Sequence, residues 1–391
     1  MAASASQASA IPSGPPTGGV TTWNAPESRK GCPAYGRELD QNLAYGLVNV
    51  AARGKEMSAI RFLRTGNRGE GQLAFGGYDL QTRSVSTSYG LGKARFLRTW
   101  IFPRREDWVV FWFDSKGLVF THTGWTVSVS KIARFAAISV EEADRVAILR
   151  MTPEGPLLGI APLGMEPTSQ LGLFTFLPGE QIAEEVKAIG ATHQAVRPVH
   201  PAVVASSERY YLAWQDTLGD GKPSVIALTS FDSNGRELES HRILSTPGIT
   251  ARQPALALHG DTVLAAWVEG GNQGDEVIVQ AFHKDLQPLE GARRIDRGTH
   301  PTLVTTRLGA ALLFLRGTDP KAGNPALVHV NARGIPAGHG LLLVSENTKD
   351  SVEAPPALTV LEEDWLGVVF TFSGGMRAQM RTLKLDCLTA P

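Results

Sequence analysis

The sequence predicts an all-β protein, a single β-propeller of seven four-stranded blades, with six or eight as the alternatives, and three observations carry that prediction. First, a proline-marked unit recurs. Pro201, Pro254, Pro301 and Pro356 stand 53, 47 and 55 residues apart, a blade-sized period. Second, each unit holds four short apolar segments divided by turn residues, with no helical periodicity between them. Third, the last unit lacks a fourth segment, which a segment near the N-terminus is able to donate.

The repeat is plainest in the second half. His200-Pro201-Ala202-Val203-Val204 leads to Tyr210–Trp214, and Gln253-Pro254-Ala255-Leu256-Ala257 leads to Val263–Trp267. His300-Pro301-Thr302-Leu303-Val304 leads to Ala310–Phe314, and Pro355-Pro356-Ala357-Leu358-Thr359 leads to Leu366–Phe370. Third strands are expected at Ser224–Phe231, Glu276–Phe282, Pro325–Val330 and Ala378–Leu385. Asp232-Ser233-Asn234-Gly235 and Asn331-Ala332-Arg333-Gly334 have hairpin chemistry: an Asx side chain caps the turn and glycine takes its left-handed corner.

The first half is more degenerate. Arg95–Phe102, Trp108–Phe113, the turn Asp114–Gly117 and Leu118–Thr123 make one unit. Ala133–Val140, Arg145–Met151 and Pro156–Leu163 make another, and Met57–Thr65 with Gly71–Tyr78 the earliest. Gln181–Ile189 is expected as a short helix on a loop. Residues 1–30, rich in Ala, Ser, Gly and Pro, form a disordered linker without the apolar run of a signal peptide, and 31–391 form the propeller. The segment between Cys32 and Val50, particularly Leu43–Val50, is the expected donor of the closing strand.

Two cysteines, Cys32 and Cys387, bracket the propeller, so a disulfide between them closes the circle where its ends meet. Such a bond persists in an oxidising compartment and points to a periplasmic, outer-membrane-associated or secreted protein. The net formal charge is zero and no apolar run approaches the ~18 residues of a transmembrane span. Neither nucleic acid nor an anionic membrane surface is an expected partner. The basic run Arg95–Arg105 is interrupted by apolar residues and reads as a solvated blade edge.

Chemistry is sought where repeat equivalence converges. The large aromatic closing each second strand (Trp112, Trp214, Trp267, Phe314, Phe370) serves packing between blades. The residue before each marker proline, His200, Gln253, His300 and Pro355, falls on one mouth of the central channel. Imidazole and amide groups there are able to hold a metal or a sugar carboxylate, and a histidine to act as general base. The plainer expectation is that they cap the channel and bond to nearby loops. Arg252 and Arg197 join this binding set and repel a cation, so neither metal nor cofactor is expected. His122 stands without a second histidine two residues away, and Asp216–Gly221 lacks the alternating acids of a calcium loop. No nucleophile elbow, Walker loop, dinucleotide fingerprint, HExxH or sialidase-type Asp box is present.

The units HPAVVASSERYYLAWQD, QPALALHGDTVLAAWVEG and HPTLVTTRLGAALLFLRG resemble the Pro-Ala…Trp blades of secreted bacterial β-propeller repeat proteins, a style frequent among exported myxobacterial proteins. The likeness covers about residues 195–386. It implies fold rather than activity, since propellers host binding, scaffolding and catalysis alike. The expected function is an exported binding or scaffolding module, without turnover, that engages a protein or glycan at the cell envelope. The competing expectation is a polysaccharide lyase or glycoside hydrolase with His200 or His300 as base, for propeller lyases loosely resemble this ring of His and Gln.

Overall fold

Turn chemistry divides the chain into hairpins as expected. Asn331 Oδ1 accepts from the backbone N–H of Arg333 and Ile335 at 2.9 and 3.1 Å, and Gly334 takes φ 79°. At the earlier turn Asp114 Oδ1 accepts from Lys116 N–H at 2.7 Å and Gly117 takes φ 126°. Side chain and glycine together satisfy the turns' backbone donors and let the strands reverse within two to four residues.

The computed structural model describes residues 23–24, 35–40, 48–64, 70–79, 81, 89–95, 98–105, 107–123, 133–135, 140–150, 157–163, 170–176, 182–188, 198–217, 222–233, 236–271, 274–317, 323–344, 352, 355–372 and 378–389. They are almost entirely β. In chain order the strands are β1 (Trp23–Asn24), β2 (Tyr35–Asp40), β3 (Val48–Arg53), β4 (Glu56–Arg64), β5 (Glu70–Asp79), β6 (Tyr89–Arg95) and β7 (Trp100–Pro103). Then come β8 (Trp108–Asp114), β9 (Gly117–Thr123), β10 (Ala133–Phe135), β11 (Ala147–Arg150), β12 (Leu157–Leu163), β13 (Gln170–Phe176) and β14 (Ile182–Ala188). The better-repeated half holds β15 (Pro198–Ala205), β16 (Arg209–Thr217), β17 (Ser224–Asp232), β18 (Glu237–Ile243), β19 (Ala251–His259), β20 (Thr262–Gly271) and β21 (Gly274–His283). Last are β22 (Arg293–Thr306), β23 (Gly309–Arg316), β24 (Asn324–Asn331), β25 (Pro336–Leu342), β26 (Ala357–Val360), β27 (Trp365–Thr371) and β28 (Ala378–Lys384), then a helical turn α1 (Asp386–Thr389).

Four antiparallel sheets follow chain order: β3–β6, β7–β10, β11–β14 and β15–β18. A larger sheet runs β19 to β25, because the 14-residue β22 pairs with β21 through its first half and with β23 through its second. The last sheet has the order β26, β27, β28, β2. The first strands of successive sheets adjoin: β3 against β7, β11 against β15, β15 against β19, β22 against β26, and β26 against β3.

The core lies between sheets. Along β23, Ala311, Leu313 and Leu315 pack with Leu358, Leu366 and Phe370 of the last sheet, whereas Ala310, Leu312 and Phe314 pack with Leu264, Val277 and Val279 on the other side. Side chains alternate across a strand, so one buried on both faces is apolar throughout rather than at every second residue. Trp267 lies with Tyr211, Ile226 and Leu228 of the preceding sheet, and Trp112 with Ile60, Phe62 and Phe75. The closing aromatics are therefore packing groups, as their recurrence implies. Val50, Met57 and Tyr78 of the first sheet pack against Ala357, Trp365, Val369 and Met380 of the last.

Two expectations are corrected. The fourth strand of the last sheet comes from the expected Cys32–Val50 segment, but it is Tyr35–Asp40, pairing Tyr35 with Thr382 and Arg37 with Met380, and not Leu43–Val50. Val48–Arg53 instead forms a hairpin with β4 across Gly54-Lys55, Gly54 taking φ 60°. That local partner is reached by a two-residue turn, and it wins the segment. Nor is there a helix at Gln181–Ile189: β14 pairs with β13, so sheet pairing overrides the charge-rich pattern. Of the expected linker only Trp23 and Asn24 are described, pairing in parallel with Gly340 and Leu341. Cys32 lies outside the described residues. Cys387 is buried in α1. Among the described residues no helix is long and apolar enough to cross a membrane.

Candidate active site

The hairpin ladder breaks at the same station in three consecutive units. Register shifts occur between Val199 and Ala202, between Arg252 and Ala255, and between Thr299 and Thr302. At these breaks His200, Gln253 and His300 take φ 52°, 57° and 55°. A left-handed backbone is disfavoured for any residue with a Cβ, and the proline that follows each of these resists helical angles before it. Such strain amounts to about 1–3 kcal/mol per residue, and it persists where surrounding structure holds it, typically at functional sites. Proline has no N–H to give the ladder, which is why the marker prolines sit at the break.

Register carries the same station into other sheets. Ala202 pairs with Ala213, Ala255 with Ala266, Thr302 with Leu313 and Ala357 with Val369, and the station lies two residues before the first member of each pair. Pro355 occupies it in the last sheet. In the sheet β7–β10 Trp100 pairs with Phe111, and in β11–β14 Ala147 pairs with Ile160. Arg98 and Arg145 therefore stand where the histidines stand later.

Arg98 is the residue of this station that sequence reading missed. Its Nη1 donates to the carbonyl oxygen of Val146 at 2.8 Å and to that of Pro201 at 3.4 Å, reaching into the two following units. Burial pushes its pKa down to about 10, opposed by the charge of Asp144. Among the described residues it forms no salt bridge. The stretch read as a solvated blade edge thus contributes a half-buried cation bonded to two neighbouring units. Thr99 replaces the marker proline here, which hid the equivalence; aligning Trp108–Trp112 with Tyr210–Trp214 and counting back would have exposed it.

The two histidines are held neutral. Burial lowers the pKa of His200, helped by Arg98 and opposed by Asp144. For His300, burial, Arg252 and His200 bring it to about 4 against the pull of Asp275. The imidazoles lie close enough for the charge of His200 to be felt at His300. His300 N–H donates to Gln253 Oε1 at 2.9 Å, and its Nδ1 lies 3.0 Å from Thr299 Oγ1. Arg252 is ion-paired with Asp275. Of the sequence-predicted set, His200, Gln253, His300 and Arg252 come together, and Arg197 lies outside the described residues. No three His, Cys, Asp or Glu side chains group as metal ligands among the described residues. His122 pairs with Val109 within β9. Thr217 pairs with Ser224 across the Asp216–Gly221 loop, whose last four residues lie outside the described set.

No family model matches the chain, and no curated protein matches it. Solved structures do. An ulvan lyase described as a new polysaccharide lyase family, PL25, superposes with a TM-score of 0.57 at 8% identity over 88% of this chain and 95% of its own. The polysaccharide lyase Uly1 superposes with a TM-score of 0.54 at 8% identity, covering 88% and 92%. A puromycin-hydrolysing peptidase of Mycobacterium tuberculosis reaches 0.50 at 12% identity, over 93% of this chain but 56% of that one. The fold is of the β-propeller type. At such identities the likeness carries architecture alone, and the propeller's chemistry rests on its own residues.

Proposed function

We propose that this propeller cleaves an acidic glycan by β-elimination at the station of Arg98, His200 and His300. The observation that carries the reading is a half-buried guanidinium that forms no salt bridge among the described residues, near imidazoles held neutral. Arg98 receives the uronate carboxylate. His300 takes the proton from the carbon next to that carboxylate, the bond to the glycosidic oxygen on the following carbon breaks, and the departing oxygen takes a proton from water, whose hydroxide recovers one from the imidazolium. Neutralising the carboxylate lowers the energy of the carbanion-like transition state. The arriving anion also favours imidazolium, raising the pKa of a base that starts near 4 toward the working pH. The lyase superpositions agree with a glycan as substrate.

The architecture proposed is seven four-stranded blades, with β22 serving two, closed by β2 on the last sheet. Pairing of Tyr35 with Thr382 sets the strand that follows Cys32 beside the strand that precedes Cys387. It supports a Cys32–Cys387 bond and, with it, export to the cell envelope.

Incubation with a panel of uronate-containing and neutral polysaccharides, followed by ultraviolet absorbance of the unsaturated uronyl product, tests the activity. Absorbance that rises with acidic substrates and is lost in His300→Ala and Arg98→Met supports the lyase. Binding of the acidic panel without product would make the propeller a glycan-binding module instead. Binding of neither class would remove the glycan reading.

A further inference from the structure

We propose that Gln253 is a positioning residue: across the joint between two units it holds His300 in its left-handed backbone, so that the imidazole presents Nε2 as a base. The role rests on the lyase reading for its purpose, though not for its geometry.

His300 sits where β22 leaves its register with β23, between Thr299 and Thr302. At that break neither His300 nor Pro301 has a partner residue in β23. A buried donor left unsatisfied destabilises by about 1–3 kcal/mol, so the N–H needs a substitute acceptor. It finds one 47 residues earlier in Gln253 Oε1, at 2.9 Å, from the equivalent station of the preceding unit. The strained φ of 55° is thus held by a side chain from a neighbouring repeat. The imidazole is held separately, through Nδ1 and the buried Thr299 hydroxyl at 3.0 Å. Taken as the donor to Thr299 Oγ1, Nδ1–H leaves the lone pair on Nε2, the nitrogen a base uses. Backbone and ring are each held by one partner, and losing either lets the imidazole wander.

The amide explains why a glutamine stands among histidines. Its side chain spans the joint, and its carbonyl oxygen accepts without adding charge beside Arg252. It therefore belongs to the support of the site and not to the surface that meets the glycan.

The test uses the full chain with 15N-labelled histidine, whose ring shifts report tautomer and protonation without substrate. Wild-type His300 is expected as one tautomer, protonated at Nδ1, remaining neutral until the pH approaches about 4. Gln253→Met keeps length but not the acceptor, and should give mixed tautomers. Gln253→Glu keeps the acceptor and should restore the single tautomer while its charge raises the titration. Thr299→Val should mix tautomers by the other route. In turnover, Gln253→Met is expected to lower kcat roughly 10–100-fold with KM nearly unchanged, as misplacement of a reacting group does. A single unshifted tautomer in Gln253→Met would overturn the proposal, whether or not the chain is a lyase. If Gln253→Met fails to fold, Gln253→Glu decides: loss of the wild-type tautomer there overturns the proposal equally. Correct spectra with no lyase product on any substrate would leave the positioning intact and remove only the activity.

Discussion

Arg98 and Pro201 are 103 residues apart in the chain, yet the guanidinium of the first donates to the carbonyl oxygen of the second at 3.4 Å. This contact brings the sheet β7–β10 to the site that the later repeats advertise. It also predicts that substrate affinity is carried by a fork rather than by a bare charge. Arg98→Met should weaken binding of an acidic oligosaccharide about 10–100-fold, the loss expected for charge-assisted hydrogen bonds, and leave neutral oligosaccharides unaffected. Arg98→Lys should fall between, because an ammonium keeps the charge without the planar pair of donors. Titration calorimetry with matched acidic and neutral oligosaccharides measures the difference.

Asp275 favours the protonated form of His300 while its partner Arg252 opposes it. Asp275→Asn removes the favouring charge and leaves the guanidinium uncompensated. The pKa of His300 should fall below about 4, and the acid limb of any pH–rate profile should move to lower pH. Histidine NMR titration of both proteins gives the shift directly; a rise would contradict the assignment of charges around the site.

His329 lies buried in β24, with Nε2 3.3 Å from Thr306 Oγ1 and its pKa lowered to about 4 by burial, by His259 and by Arg307. The unfolded chain binds the proton near pH 6.5 and the folded chain only near 4, so stability is full above the first value and declines as pH falls toward the second. The contribution lost is at most about 3 kcal/mol. Urea unfolding at neutral pH and at pH about 4.5 should show a smaller difference in His329→Gln than in the wild type.

Packing and ion pairs between units should differ widely in weight. Trp267, buried between two sheets, should lose about 3–5 kcal/mol on truncation to alanine. Arg307 pairs with Asp364 and with Asp386, but its side chain is 49% exposed, so Arg307→Ala should lose less than about 1 kcal/mol and less still in high salt. Thermal melts of the two variants at low and high ionic strength test the contrast.

The proposed Cys32–Cys387 bond is the last expectation. Alkylation without reduction should leave both thiols unmodified by mass spectrometry. Replacing both by serine should lower stability by an amount bounded at about 5–6 kcal/mol for so long a loop. Two alkylated thiols in freshly purified periplasmic material would refute it.

The second half of the fold was legible because its regularities are short-range. Proline at the ladder break, an aromatic three or four residues before the next turn, and Asx–Gly corners each act within a hairpin. The site was legible only where proline marked it: His200, Gln253 and His300 were found, and Arg98 was not, since Thr99 fills the marker position and the equivalence appears only in the pairing of Trp100 with Phe111. The closing strand was placed in the right segment, Cys32–Val50, but at the wrong residues within it, for a related reason. Tyr35–Asp40 and Val48–Arg53 have similar strand-forming composition, and the choice between them rests on pairing with Ala378–Thr382, hundreds of residues away. The charged segment Ile182–Ala188 is a strand by virtue of its neighbour β13, which no local pattern announces.

Within β22 no loop separates the ladder to β21 from the ladder to β23: a single span, Arg293–Thr306, completes one and begins the next, with His300 in its second half. Loops elsewhere can lengthen or shorten without disturbing the strands they join, but an inserted residue here would reverse the facing of every side chain beyond it. This joint should therefore be the least tolerant of insertion in the molecule, and it fixes the angle between two sheets as rigidly as a beam shared by adjoining walls. The imidazole rides on that beam, so any tilt of either sheet is delivered to it undiminished.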